Sequence, residues 1–447
     1  MTAEIRWLWS RLNANYWFYP ALFALGAGAL AFTMVWLDRH GFAEWLNETD
    51  WIIPARPDGA SNLLTVIAGS MIGVASTVFS ITIAAVAYAS GNYGPRLLTN
   101  FMEDRGNQLS LATFIGTFVY ALITLRSVRA ENEVAADAVD AAATSLPGFV
   151  PQLSLLVAFL LMGLSVGVLV FFLNHIPASI RINTVLKGIG QRLLEDIAKE
   201  YPEDANGAED KPAPDGPPIL SDTTGYVQII DFGEIKDAAD AAGCRVALEV
   251  RTGDFVHRGM ALARVCAGGT KDGPDDELGD KVREAFSVGA SRTPEQDPQF
   301  LIDELVEIGL RALSPGINDP FTAITSLHWL GAATAELGRR DLRKRIAGEE
   351  PEERSVIPLP DDFEHFLDRG FGAMRSAVAT SRTATLVMLD TLRNAAAPVQ
   401  DESRQALLRK QGERLLEQAR TALAGPDLQE VEARHVSFRE ALAGGAG

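Results

Sequence analysis

The chain has 447 residues, 58 Asp and Glu against 40 Lys and Arg, and a formal net charge of −18. That length leaves room for two or three domains with their own cores, and so acidic a balance excludes nucleic acid as a partner, which demands a basic footprint. The hydrophobic share of 47% averages two unlike halves: residues 12–37, 59–95, 106–125 and 141–180 contain no Asp, Glu, Lys or Arg.

Each uncharged window carries an apolar run of roughly 20 residues, the length a helix needs to cross about 30 Å of hydrocarbon. Four transmembrane helices are predicted, over Tyr16–Leu37, Leu63–Ser90, Gln108–Leu125 and Leu153–Asn174, and together they form a domain over residues 1–175. Basic residues are nearly balanced across the loops until Arg181, Lys187, Arg192 and Lys199 follow the fourth helix. The positive-inside rule then puts both termini in the cytoplasm. The first apolar run is too long for a cleaved signal peptide and lacks a small-residue cleavage site, so it reads as an anchor.

Helix two has a distinctive pattern. Small or hydroxyl residues recur close to a 3.6-residue period at Gly69, Gly73, Ser76, Thr77 and Ser80. Such a stripe either lets another helix approach closely or lines a pore with hydroxyls that replace ion hydration. No carboxylate or histidine stands at the centre of any of the four helices, which argues against a proton-driven carrier. The sequence has no G-x-x-x-x-G-K-[ST] loop, which argues against ATP-driven transport.

After the fourth helix His175-Ile176-Pro177 interrupts the run, and residues 176–202 read as an amphipathic connecting helix with Ile182, Leu186, Ile189, Leu193 and Ile197 on one face. That face can lie on the bilayer surface or pack on the soluble part. Residues 203–219 are an acidic, proline-rich linker. A small β-rich module is expected over 220–267, where CRVALEV alternates Val246, Leu248 and Val250. Its GDFVHRGMALARV segment resembles half of a biotinyl-type barrel but lacks the carrier lysine, so the module is read as structural and no cofactor is expected. Cys244 and Cys266 fall in this cytoplasmic part and are expected as free thiols. Residues 268–279 form a second linker, and 280–447 a helical domain.

The ordered segments resemble one family. SMIGVASTVFSITIAAVAYASGNYGPRLLTNFMEDRGNQ, Thr113 to Tyr120, NHIPASIRIN, GYVQIID, GDFVHRGMALARV and IDELVEIGLRALSPGINDPFTA are similar to the bacterial predicted-membrane-protein family of unknown function 2254, over about residues 15–395. The resemblance implies an integral protein of the bacterial inner membrane with a cytoplasmic C-terminal region. It carries no established activity.

LSPGINDPFTA, residues 313–323, breaks a good helical pattern. Pro315 and Gly316 are stop signals, and Asp319-Pro320, like Asp297-Pro298, is a helix start in which the carboxylate caps free N–H groups. What capping leaves over is Asn318 and an excess of carboxylates: Asp303 and Glu307 are like charges at i, i+4, which calls for a cation such as Arg292 or Arg311. A cytoplasmic site at Asp303, Glu307, Asn318 and Asp319 is the candidate. Convergence with His328 on a metal would need antiparallel helices, but the spacing matches no ligand pattern, and no metal is expected. The six histidines form no cluster, and no nucleophile elbow is present, so an enzyme is not expected. The fold class expected is a mostly α membrane protein with a small β module and a C-terminal helical domain. The function expected is an oligomeric channel or pore gated or assembled by its cytoplasmic domain, with the lipid bilayer and further copies of the chain as partners. The alternative is a non-conducting scaffold or sensor that binds a cytoplasmic protein.

Overall fold

A computed structural model describes residues 15–42, 56–94, 104–129, 133–134, 145–146, 148–201, 203, 216–265, 276–343 and 355–443. The chain divides into two compact units, Met1–Arg181 and Ile182–Gly447.

The first unit contains four helices long and apolar enough to cross a membrane. They are α1 (Phe18–Arg39), α2 (Pro57–Tyr93), α3 (Arg105–Leu125) and α4 (Gln152–Ser179). Pro57 opens α2, where a missing N–H costs nothing. Asp104 caps α3, its Oδ1 accepting from Asn107 N at 3.2 Å. The helix α4 does not stop at His175-Ile176-Pro177 but runs to Ser179. Pro177 lies in the final turn, where its ring forfeits only one hydrogen bond. α3 is the hub on which α1, α2 and α4 all pack. Leu64, Ile67 and Val78 of α2 meet Phe114 and Tyr120 of α3 and Phe172 of α4 in one core. Between α3 and α4 lies a two-residue antiparallel pair, β1 (Glu133–Val134) with β2 (Ser145–Leu146).

The second unit begins with α5 (Ile182–Glu200), whose apolar face of Leu186, Ile189, Leu193 and Ile197 is buried. That face packs on α8 (Pro298–Ala312) and α9 (Pro320–Arg339) and so is not free to lie in lipid. The β module holds two sheets. One is β3 (Pro218–Leu220), β7 (Ala261–Val265), β5 (Val246–Leu248) and β9 (Val356–Ile357), in that order. The other is β6 (Phe255–Val256), β4 (Gly225–Ile230) and β8 (Phe286–Gly289). α6 (Phe232–Ala242) and α7 (Asp276–Glu284) complete its core, with Ile235, Ala239 and Val282 packed on Val246, Leu248 and Val256. The module therefore reaches beyond residue 267 and takes in β8 and β9. Two- to four-residue strands are too short to show a period of two, which is why the sequence pattern misses them.

The rest is helical: α10 (Phe363–Leu367), a π turn at Asp368–Gly372, α11 (Ala373–Val378), α12 (Arg382–Ala396), α13 (Glu402–Ala422) and α14 (Gly425–Ala443). Asp361 pins the module to these helices. It accepts from Tyr201 Oη at 2.7 Å and pairs with Arg251 Nε at 3.3 Å.

Candidate functional site

On α2 the buried residues Leu64, Ile67, Met71, Ala75, Val78 and Thr82 form one stripe, facing the bundle. Gly69, Gly73, Ser76, Thr77 and Ser80 lie on the opposite side and are all exposed. A Cβ added at Gly69 or Gly73 would meet nothing within 4 Å. Among the described residues of the unit, Gly69 and Gly73 therefore serve no packing. Their hydroxyls turn back on their own helix, Thr77 Oγ1 donating to Gly73 O at 3.0 Å and Ser80 Oγ to Ser76 O at 2.8 Å. The hydroxyl protons of Thr77 and Ser80 are thus satisfied, and their oxygens keep accepting capacity on the exposed side of α2.

Polar contacts inside the bundle join α3 to α4. Thr117 and Ser165 hydroxyls meet at 3.0 Å, and Tyr120 Oη donates to Ser154 O at 3.0 Å. The charges sit at helix ends. Asp38, at the end of α1, caps α4: its carboxylate accepts from Leu153 N and Ser154 N at 2.9 Å each and from Ser154 Oγ at 2.6 Å. Asp104 meets His175 Nε2 at 2.9 Å, joining the start of α3 to the last turns of α4. Gly106 makes room for that pair, since a Cβ there would come within 2.6 Å of His175 Nε2. These end pairings are long-range and left no local pattern in the sequence.

In the second unit, α8 and α9 run antiparallel, Ser326 Oγ donating to Leu305 O at 2.8 Å. The candidate residues nevertheless do not converge, because each has its own task. Asp303 accepts from Arg369 Nε and Nη2 at 2.6 Å and from Arg292 Nη1 at 2.6 Å. Glu307 faces Arg311 at 3.8 Å. Asp319 caps α9 through Thr322 N at 3.2 Å and Thr322 Oγ1 at 2.6 Å, and His328 is exposed. Among the described residues no group of three or more His, Cys, Asp or Glu could hold a metal ion. The cation that Asp303 and Glu307 called for is thus supplied by arginines. Arg292 was anticipated, while Arg369, on the π turn, was not.

Asn318 has a structural role. It adopts φ 50°, and its N–H donates to Ser314 O at 2.9 Å while Asp319 N donates to Ala312 O at 2.7 Å. The corner needs one residue in the left-handed region, which asparagine tolerates better than most.

Asp297 is the most buried acid of this group, 2% exposed. It caps α8 through Phe300 N at 3.1 Å and pairs with Arg292 Nη2 at 2.6 Å. Burial pushes its carboxyl above the ordinary carboxylate value, opposed by the attraction and hydrogen bonds of Arg292. Gly253, at φ 89°, brings the β module onto this pair, where any Cβ would collide with the Asp297 carboxylate. The four-residue knot of Arg292, Asp297, Asp303 and Arg369 thus locks module to helices, and each of its carboxylates meets at least one guanidinium. Cys244 packs half-buried against the core of the module; Cys266 lies outside the described residues.

Over residues 13–394 the chain matches the model of a family described as predicted membrane protein, DUF2254. The chain belongs to this family. Its relatives include an uncharacterized protein of Mycobacterium bovis and another of Mycobacterium tuberculosis, each 30% identical over 365 residues, covering 79% of this chain and 67% of theirs. No solved structure matches the chain.

Proposed function

We propose that this DUF2254 protein crosses the membrane four times and assembles through α2 into an oligomeric channel or pore. In this reading both termini and the second unit are cytoplasmic, and that unit gates or assembles the ring. The observation that carries the reading is the outward stripe of Gly69, Gly73, Ser76, Thr77 and Ser80, set opposite the face α2 buries in its own bundle. In hydrocarbon, helices associate by close van der Waals packing, which small residues permit. The interior of a single bundle is filled by Leu64, Ile67, Phe114 and Tyr120, so a conducting path lies between copies. Outward hydroxyl lone pairs suit the partial dehydration of a cation there. The second reading, a non-conducting scaffold or sensor with a cytoplasmic protein partner, draws on the same hydroxyls: bonded to their own backbone, they also suit a dry interface.

The test is the full chain purified in mild detergent and reconstituted in planar bilayers. A closed oligomer that passes ions, with a current altered by Thr77→Leu and Ser80→Leu, supports the channel. An oligomer that stays silent turns the reading to the scaffold, and a monomer removes both the ring and the pore.

A further inference from the structure

A polar layer crosses the first unit near the starts of α1 and α3, and all four helices contribute to it. On α3, Asp104, Asn107 and Gln108 share one face of the first turn, a face that runs on into Leu111 and Phe114 of the core. Asn107 therefore points inward, and it is only 2% exposed. Gly116 of α3 lies against Phe23 and Ala27 of α1, and Gly28 of α1 lies against Ile123 of α3, so the two helices run parallel. The same register carried back to their starts sets Asn107 and Gln108 level with Asn15 and Tyr16. Tyr16 packs on the bundle core, its ring 6.1 Å from that of Phe79 on α2. Thr82, buried one turn further along α2, and Asp104 both act on the Tyr16 hydroxyl. From α4, His175 meets the Asp104 carboxylate at 2.9 Å, its ring stacked on Phe171 at 5.0 Å.

The layer is short of donors. Asn107 Oδ1 is buried and accepts no hydrogen bond among the described residues. Thr82 Oγ1 gives its proton to Val78 O at 2.9 Å and keeps its lone pairs. A buried acceptor left without a partner costs the desolvation of that group, and a bound ligand removes the cost. Amide, hydroxyl, phenol and carboxylate oxygens are hard donors, suited to alkali and alkaline-earth ions. Charge decides between those two classes. Asp104 is the one carboxylate among the described residues of the layer and balances a single positive charge, whereas divalent sites gather several carboxylates.

We propose that this layer is a binding site for a monovalent alkali cation, held by Asn107 Oδ1 with Asp104, Thr82 Oγ1 and Tyr16 Oη. The ion ties the starts of α1 and α3 to α2. The site lies within one copy of the chain, so it rests neither on the assembly nor on the conduction proposed above.

Thermal unfolding of the full chain in mild detergent tests the site, with N-methylglucamine chloride replaced stepwise by sodium or potassium chloride at fixed ionic strength. The expected result is a saturable rise of a few degrees in melting temperature with at least one of the two ions. Asn107→Leu removes the unpaired acceptor, so it should fold and should lose the rise. Asp104→Asn keeps a good helix cap while removing the charge, and it should need several-fold more salt for the same rise. Thr117→Val breaks the pairing with Ser165 elsewhere in the bundle and should keep the response. A parent indifferent to the exchange of cations overturns the proposal and leaves the layer to water. A rise that survives in both Asn107→Leu and Asp104→Asn overturns it by putting the ion elsewhere. Loss of the rise in Thr117→Val overturns it as well, by showing a general loosening of the bundle. If Asn107→Leu does not fold, Asp104→Asn alone decides.

Discussion

Among the described residues of the first unit, each acidic side chain that joins helices stands at a helix end with one small set of partners, Asp38 on the first turn of α4 and Asp104 on His175. In the second unit two carboxylates and two guanidiniums are knotted at the junction of module and helices, Asp297 and Asp303 with Arg292 and Arg369. The difference follows from what each surrounding can neutralise. At a helix end, free N–H groups and the dipole stabilise a carboxylate without a counter-ion. At a crowded junction there are no spare N–H groups beyond one cap, so charge must be met by charge, and removing one member strands the other.

The contrast can be broken or sharpened by variants. Arg292→Met should have the largest effect, destabilising the protein by about 3–5 kcal/mol because buried Asp297 loses its only guanidinium in the knot. Thermal unfolding in mild detergent, followed by the ellipticity of the helices, measures it. By the same measurement Asp38→Ala should cost about 1–2 kcal/mol, the scale of a lost helix cap. If Asp38→Ala proves as costly as Arg292→Met, the distinction between the two devices is wrong. Arg369→Met should cost less, about 1 kcal/mol, since Asp303 keeps Arg292 and the Arg369 side chain is partly exposed.

The smallest effect concerns a cation that the second unit avoids. His435 on α14 is buried against Phe438, and its Nε2 has no hydrogen-bond partner among the described residues. Burial, with help from nearby Arg439, pushes its imidazole below the ordinary value. A depressed folded value means that the unfolded chain binds the proton more readily. The stability held above the ordinary histidine range of about 6.5 is then lost as pH falls through the folded value. The melting temperature of His435→Met should fall less than that of the parent on mild acidification; parallel curves would refute the assignment.

Much of this was legible in the sequence, and the exceptions share a cause. The four apolar helices follow from uncharged runs, and both Asp-Pro starts cap as their residue types require. Asn318 was visible as unexplained, and its left-handed φ is the explanation. Which side of α2 faces the bundle was not legible, because a stripe of Ala, Gly, Ser and Thr suits either surface until its neighbours are known. Arg369 was hidden because its partner Asp303 lies on another helix, and pairing across that separation leaves no spacing to read.

The short strand β9 carries a consequence for biogenesis. Val356–Ile357 pairs in parallel with β5, and Val246 N donates to Ser355 O at 2.8 Å. Since α8 and α9 are made between the two strands, the module's sheet cannot close while the ribosome is still working on the helices that follow it. Until Ser355 emerges, the β5 edge stays open, and a nascent chain stalled before that point would display it to any extended peptide nearby.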